Sequence, residues 1–215
     1  MFNRKEYNQR LDKAYQAYEA GSFAAAEKMY DKLRDDLRFY HSRSQRMNLL
    51  MGMSYVKSAL GKHKEARAAC EILVRNSRPR KGLYIALHQS ALIEKEAGDE
   101  RKALDFLNQE IEVLQKHKKI DSQKHAICQY ERASTLRNLG LKQDALYALQ
   151  DAARRADMAR DEFTSAMVYK ALGDMHLDWG DKDEAKKAYL KAKENFLEAE
   201  HQDGIKEVNE ALKGL

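Results

Sequence analysis

The stretch YKALGDMHLDWGDKDEAKKAYLKA, Tyr169–Ala192, places small and large apolar residues at fixed distances around Gly180. Gly173 stands seven residues before that glycine, Ala185 five after it and Tyr189 nine after it. The same frame surrounds Gly21, Gly61, Gly98 and Gly140, which with Gly180 are spaced by 40, 37, 42 and 40 residues. Five residues after each glycine is an alanine: Ala26, Ala66, Ala103, Ala145 and Ala185. Seven before each is a small residue (Ala14, Ser54, Ala91, Ala133, Gly173), and nine after each a larger apolar one (Tyr30, Cys70, Leu107, Leu149, Tyr189). A fixed period of this length marks a repeat architecture. Small side chains let two helices of a hairpin approach closely, and a glycine between them takes the positive φ that ends the first helix. One such hairpin cannot bury its apolar face alone, so successive hairpins must stack.

Composition agrees. Only one proline occurs in 215 residues, as expected of long helices joined by short turns. With 34% charged and 43% hydrophobic residues the chain is too polar for a membrane protein yet has enough apolar positions for a core. No apolar run approaches 18 residues and the chain opens on Met1-Phe2-Asn3-Arg4-Lys5-Glu6, so neither a membrane span nor a signal peptide is expected, and the location expected is cytoplasmic. Cys70 and Cys128 fit no metal or redox spacing.

The pattern predicts one all-α domain over 1–215, with helix pairs at 4–20 with 23–39, 42–60 with 63–75, 80–97 with 100–117, 121–139 with 142–157, and 161–179 with 182–200. A capping helix over 203–213 puts Ile205, Val208 and Leu212 on one face and Lys206, Glu207, Glu210 and Lys213 on the other. No such helix precedes the first pair. Tyr7, Leu11, Ala14, Tyr15 and Tyr18 are therefore expected to leave aromatic surface exposed, which suits a partner or a second copy of the chain. Pro79, between the second and third pairs, is placed to restart a helix.

The fifth repeat, Tyr169-x2-Leu172-Gly173-x2-His176 followed by Gly180, Ala185, Tyr189 and Ala192, resembles the tetratricopeptide repeat (TPR). The other repeats match less fully, and in the second Gly52 and Tyr55 stand two residues out of step with Gly61. No repeat closes with the family's proline and the period is near 40. Both departures resemble the extended repeats of bacterial peptide-sensing regulators and of scaffold proteins. The resemblance implies a right-handed superhelical solenoid of about five hairpins plus the capping helix. It also implies a non-catalytic adaptor that binds a protein or peptide in a concave groove lined by first helices.

Carried over from the family, residues ten, six and three before each marker glycine face that groove. They include Tyr15 and Tyr18; Met51, Tyr55 and Ser58; His88 and Lys95; Tyr130, Ser134 and Arg137; and Lys170 and Asp174. Such a mixture suits a peptide, since tyrosine offers a large rigid contact and a hydrogen-bonding tip. The carboxylate clamp of co-chaperones is not matched, because Lys170 is followed by Asp174. Asn8, Asn48 and Asn138 lie on first helices at non-equivalent positions, so the likeness to a peptide-sensing regulator is partial. That regulator, changing pitch when a small peptide binds, is the alternative reading.

Residues 1–150 hold 28 basic and 19 acidic side chains, net +9, whereas 151–215 hold 11 and 15, net −4. The excess gathers after second helices, at Arg75, Arg78, Arg80 and Lys81, then Lys116, Lys118 and Lys119, then Arg154, Arg155 and Arg160. A nucleic-acid backbone on this basic edge is a second alternative, but no RNA-binding motif accompanies it and dipole compensation explains the charges as well. The seven histidines, His41, His63, His88, His117, His125, His176 and His201, form no metalloprotease motif, and there is no phosphate loop or nucleophile elbow. His125 and Cys128 share a helix face without further ligands, and Cys70 falls at a packing position. No enzyme activity, cofactor or metal is expected.

Overall fold

The computed structural model describes residues 4–36, 42–78, 82–116 and 122–215, with no side-chain description for Arg4. His41, Pro79, Arg80, Lys81, His117, Lys118 and Lys119 lie outside the described residues. Eleven helices fill them: α1 Arg4–Glu19, α2 Phe23–Asp36, α3 Arg43–Ala59, α4 His63–Asn76, α5 Leu83–Glu96, α6 Glu100–Lys116, α7 Ser122–Asn138, α8 Lys142–Ala159, α9 Glu162–Asp178, α10 Lys182–Glu198 and α11 Gln202–Lys213. No strand is present among the described residues beyond a single bridge between Arg78 and Gly82. No helix among them is long and apolar enough to cross a membrane.

The five marker glycines make one turn five times. Gly21, Gly61, Gly98, Gly140 and Gly180 have φ of 72, 70, 77, 77 and 79°. In each, the glycine N–H donates to a carbonyl three residues back and the next N–H to one five residues back, as in Gly21 to Tyr18 and Ser22 to Ala17, both 2.9 Å. This is a Schellman turn, and it satisfies carbonyls that the helix end would otherwise leave open. Around these turns the repeated frame is the core: Ala14, Ser54, Ala91, Ala133 and Gly173 are buried, as are Ala26, Ala66, Ala103, Ala145 and Ala185. The larger residues Tyr30, Cys70, Leu107, Leu149 and Tyr189 are buried too.

The chain divides into two compact units, Met1–Phe106 and Leu107–Leu215. In unit 1, α1 packs on α2, α2 on α3, α3 on α4 and α4 on α5, while the first helices also touch in the order α1, α3, α5. The second helices α2 and α4 lie behind that row. The core holds Tyr7, Tyr30, Leu33, Leu49, Met53 and Val56 in one cluster and Cys70, Leu73 and Ile93 in another. Charged pairs bind neighbouring helices: Arg10 to Asp36 at 2.6 Å, Lys57 to Glu27 at 2.6 Å and to Glu65 at 2.8 Å, and Arg67 to Glu94 through two bonds of 2.8 and 2.6 Å. The bonds from Lys57 and Lys62 hold the Glu27 carboxyl below its ordinary range.

In unit 2, α7 packs on α8, α8 on α9, α9 on α10 and α10 on α11, with α7 also touching α9. Tyr189, Phe196 and Val208 centre its terminal cluster, against which Ile205 and Leu212 of α11 pack. The helices α8 and α10 end in the same Schellman turn as the hairpins, but with Arg160 (φ 52°) and Glu200 (φ 54°) at the left-handed position. His201 then caps α11, its Nδ1 accepting from the Gly204 N–H at 3.0 Å.

Two sequence expectations change. The exposed aromatic surface on α1 reduces to one ring: Tyr7 and Ala14 are fully buried, Leu11 and Tyr18 are half-buried, and Tyr15 is 45% exposed. Tyr7 and Ala14 turn inward to the cluster that α2 and α3 complete, so α1 needs no preceding helix to cover them. The misfit of Gly52 is also resolved. A Cβ there would lie 2.3 Å from the Tyr30 ring on the preceding hairpin, whereas Ser54 occupies the hairpin position and is fully buried. Gly52 thus serves the junction between hairpins, and the frame of the second repeat is that of Gly61.

Candidate functional site

The stripe Arg43, Met47, Met51, Tyr55 runs along α3 at four-residue steps, which puts all four on one face of the helix. Its N-terminal half borders a hollow of about 600 Å³ between α3 and α5. Met47, Met51, Ile85 and Ala86 supply apolar lining, Tyr84 a ring, and Arg43, Asn48, Asn76 and Arg78 a polar rim. Ile85 is 41% exposed, an unusual degree for an isoleucine on a helix that packs on two others. Ser42 caps α3 and forms a capping box with Gln45, whose side chain also donates to Asn8 at 3.0 Å, so the start of the stripe is anchored.

The C-terminal half of the stripe meets a cluster of rings. Tyr18 lies 5.7 Å from Tyr55, 6.2 Å from Tyr15 and 5.5 Å from Phe23, centroid to centroid. Burial pushes the Tyr55 hydroxyl up to about 12, with Tyr18 adding to the effect. Tyr18 is raised by burial and by the charge of Glu96, and Tyr15 by its hydrogen bond to Glu19. The phenols therefore stay neutral beside two carboxylates. Ser58, buried at the end of the stripe, donates to Glu96.

Of the groove residues inferred from the family, Tyr15, Tyr18, Met51 and Tyr55 come together on this face of unit 1. His88 and Lys95 of α5 are half-buried and engaged in interactions of their own. In unit 2 the corresponding residues are tied to one another. Arg137 pairs with Asp178 at 3.0 Å, and Lys170 with Asp174 at 3.7 Å and Glu207 at 3.4 Å. Asp174 accepts from the Tyr189 hydroxyl at 2.7 Å. Tyr130 is half-buried, its hydroxyl raised by burial and then by Glu131 and Asp174, and Ser134 is engaged.

Sequence reasoning missed Met47, Asn48, Tyr84 and Ile85 as lining residues. They stand 14 and 13 positions before Gly61 and Gly98, one helical turn before the first position the family mapping selects. Continuing the three-and-four spacing by that turn would have found them.

The basic residues are dispersed among several settings. Arg78 borders the hollow, and Arg75 lines a second cleft of about 410 Å³ between α4, α5 and α6. In that cleft Arg67 is held by Glu94 and Lys102 by Asp99 at 2.7 Å. Lys116 pairs with Glu112 at 3.4 Å, and Arg154 and Arg155 share Asp151.

Both thiols are buried. Burial pushes Cys70 up and Cys128 much further, the latter also beside Glu110, so neither is disposed to act as a thiolate. His125 is buried, and its ring donates to the Leu114 carbonyl; desolvation, then the charge of Arg155, lowers it below its usual range. No group of three His, Cys, Asp or Glu converges on a metal position among the described residues.

No protein-family model matches the chain, and no curated protein matches it. Solved structures do. Rap protein complexed with competence and sporulation factor superimposes with a TM-score of 0.78 at 15% identity, over 97% of this chain and 58% of that one. Bacillus thuringiensis PlcR in complex with the peptide PapR7 and DNA gives 0.73 at 14%, over 97% and 76%. A thermophilic TPR protein of Thermus thermophilus gives 0.66 at 21%, over 96% and 98%. The chain spans somewhat over half of the Rap chain. With five Schellman hairpins on one buried frame, and with these neighbours, the chain has the fold of a TPR solenoid.

Proposed function

We propose that this chain is a non-catalytic adaptor that binds a peptide or a protein segment on the first-helix face of unit 1. The observation that carries the reading is the continuous stripe on α3, whose half-buried Met47, Met51 and Tyr55 join the hollow to the ring of Tyr18. Aromatic side chains on a helical scaffold give contact area at small entropic cost, and methionines adapt their shape to what lies over them. The PlcR structure, which holds a peptide, supports the same class of ligand. The test is selection of a phage-displayed dodecapeptide library on the purified chain. Peptides should be enriched, and Met51→Asp and Tyr55→Ala should weaken them about tenfold or more, which is about 1.4 kcal/mol. Enriched peptides indifferent to both changes would overturn it.

The regulatory alternative, a solenoid that changes pitch on binding a small peptide, draws its support from the likeness to the Rap and PlcR structures. It adds one expectation, a change in the radius of gyration in solution scattering when a selected peptide is added. Scattering that does not move would leave the adaptor and remove the regulator. For nucleic-acid binding the basic edge is weakened, since Arg154 and Arg155 share the one carboxylate of Asp151 and Lys116 pairs with Glu112.

A further inference from the structure

The stripe on α3 differs in charge at its two ends. At the start, Arg43 occupies its first position, exposed on the rim of the hollow, and Arg78 stands on the same rim. At the far end the rings of Tyr18 and Tyr55 stand 5.7 Å apart, and Glu96 of α5 reaches α3 one turn beyond Tyr55, where its carboxylate accepts from the Ser58 hydroxyl. Between these ends the lining is Met47 and Met51. The dipole of α3 has the same sense, positive at Arg43 and negative beyond Tyr55.

Neutral phenol rings beside carboxylates attract a cation twice, through the ring faces and through the charge. A guanidinium rim attracts a carboxylate, with bidentate geometry available. From Arg43 to Tyr55 the α3 axis advances about 18 Å at 1.5 Å per residue. An extended peptide covers that distance in about six residues at roughly 3.3 Å each.

Resting on the binding face proposed above, we infer that the partner segment is bipolar. It presents a lysine, arginine or amino-terminal ammonium to the Tyr18–Tyr55–Glu96 end and a carboxylate, about six residues away, to Arg43 and Arg78, with apolar side chains over Met47 and Met51. Either order of the two charges along the peptide can be laid on the stripe.

The experiment uses the full chain, immobilised, and four acetylated and amidated heptapeptide pools with randomised five-residue interiors. Two pools are bipolar, Lys-x5-Glu and Glu-x5-Lys, and two are like-charged, Lys-x5-Lys and Glu-x5-Glu. At least one bipolar pool should be retained about tenfold more than either like-charged pool, the preference shrinking at high salt. Glu96→Gln should remove the preference for a basic end and Arg43→Gln that for an acidic end, each with an unchanged melting curve. If all four pools are retained alike and Met51→Asp still abolishes retention, the charge pattern is refuted while the binding face stands. If a like-charged pool is preferred, the inference likewise falls. If no pool is retained, both the inference and the binding face fall.

Discussion

In unit 1 the groove positions of the repeat carry Tyr15, Tyr18, Met51 and Tyr55, whose rings gather beside the methionine-lined hollow at an open face. In unit 2 the same positions carry Arg137, Lys170 and Asp174, and each is paired with a residue of its own unit. The backbone frame is shared, with alanines at equivalent hairpin crossings and glycines at equivalent turns. What differs is the use of the surface. At these positions unit 1 presents rings and a thioether, whereas unit 2 presents charges that pair within the unit. A repeat fold thus fixes where a binding face can lie without fixing which hairpins supply it.

The contrast can be broken most forcefully at the helix crossings. A Cβ at Gly173 would lie 2.6 Å from the Tyr189 ring near its root, whereas one at Gly52 would meet the tip of Tyr30. Gly173→Ala should destabilise by about 1–3 kcal/mol, and Gly52→Ala by less, since a ring tip yields more easily than its base. Urea denaturation monitored by circular dichroism measures both; equal losses would erase this distinction between the units.

Binding is the next comparison. Tyr55→Ala should weaken a selected peptide about tenfold, or about 1.4 kcal/mol, and Tyr130→Ala and Arg137→Glu less than about twofold. Isothermal titration with one peptide and three variants decides it. A large effect of Tyr130→Ala would spread the site into unit 2.

Turn chemistry gives a smaller effect of opposite sign. Arg160→Gly and Glu200→Gly should each raise stability by up to about 1 kcal/mol, as a left-handed conformation costs an L-residue that much or more. Gly140→Ala should lower it by about 1 kcal/mol for the same reason. Thermal unfolding of the three variants is the check. The exposed pair Arg137–Asp178 ranks lower, and Asp178→Asn should change stability by no more than about 0.5 kcal/mol.

The gentlest contrast is in pH. Unit 2 buries the imidazole of His125, and among the described residues unit 1 buries none. Desolvation lowers His125 below 6.5 in the folded state, so the unfolded chain binds a proton that the folded one refuses. Stability should therefore be level above about pH 6.5 and decline as pH falls through the window beneath it. His125→Gln should flatten that decline in a pH series of melting temperatures; an unchanged slope would assign it elsewhere.

Much of the fold could be read from five glycines and five alanines, because close crossings and left-handed turns admit few residue types. The helix ends that meet at each hairpin turn followed from the same marks. The burial of Tyr7 on α1 was not legible, because helices further along the chain cover it and no local pattern states which face they will take. Arg160 and Glu200 gave no sign of positive φ, since neither is a residue that favours it. The face was half visible: Met51 and Tyr55 fell at mapped positions, but Met47, Tyr84 and Ile85 of the hollow lay a turn outside them. The charge pairing on the unit 2 face was not visible at all. Opposite charges are common on every helix of this chain, and only packing chooses which meet.

Gly204 on α11 is tucked against Phe196 of α10 much as Gly52 on α3 is tucked against Tyr30 of α2. Both helices meet a bulky ring of the helix before them through a glycine that leaves room for it, α3 at its middle and α11 in its first turn. The array is editable at that seam with one change: in a duplicate of residues 162–201 inserted before α11, Thr164 would stand where Gly204 does and its Cβ would meet the Phe196 ring, so the copy needs Thr164→Gly. Lengthening the protein would then require another copy of the old hairpin and a single glycine where it meets the ring.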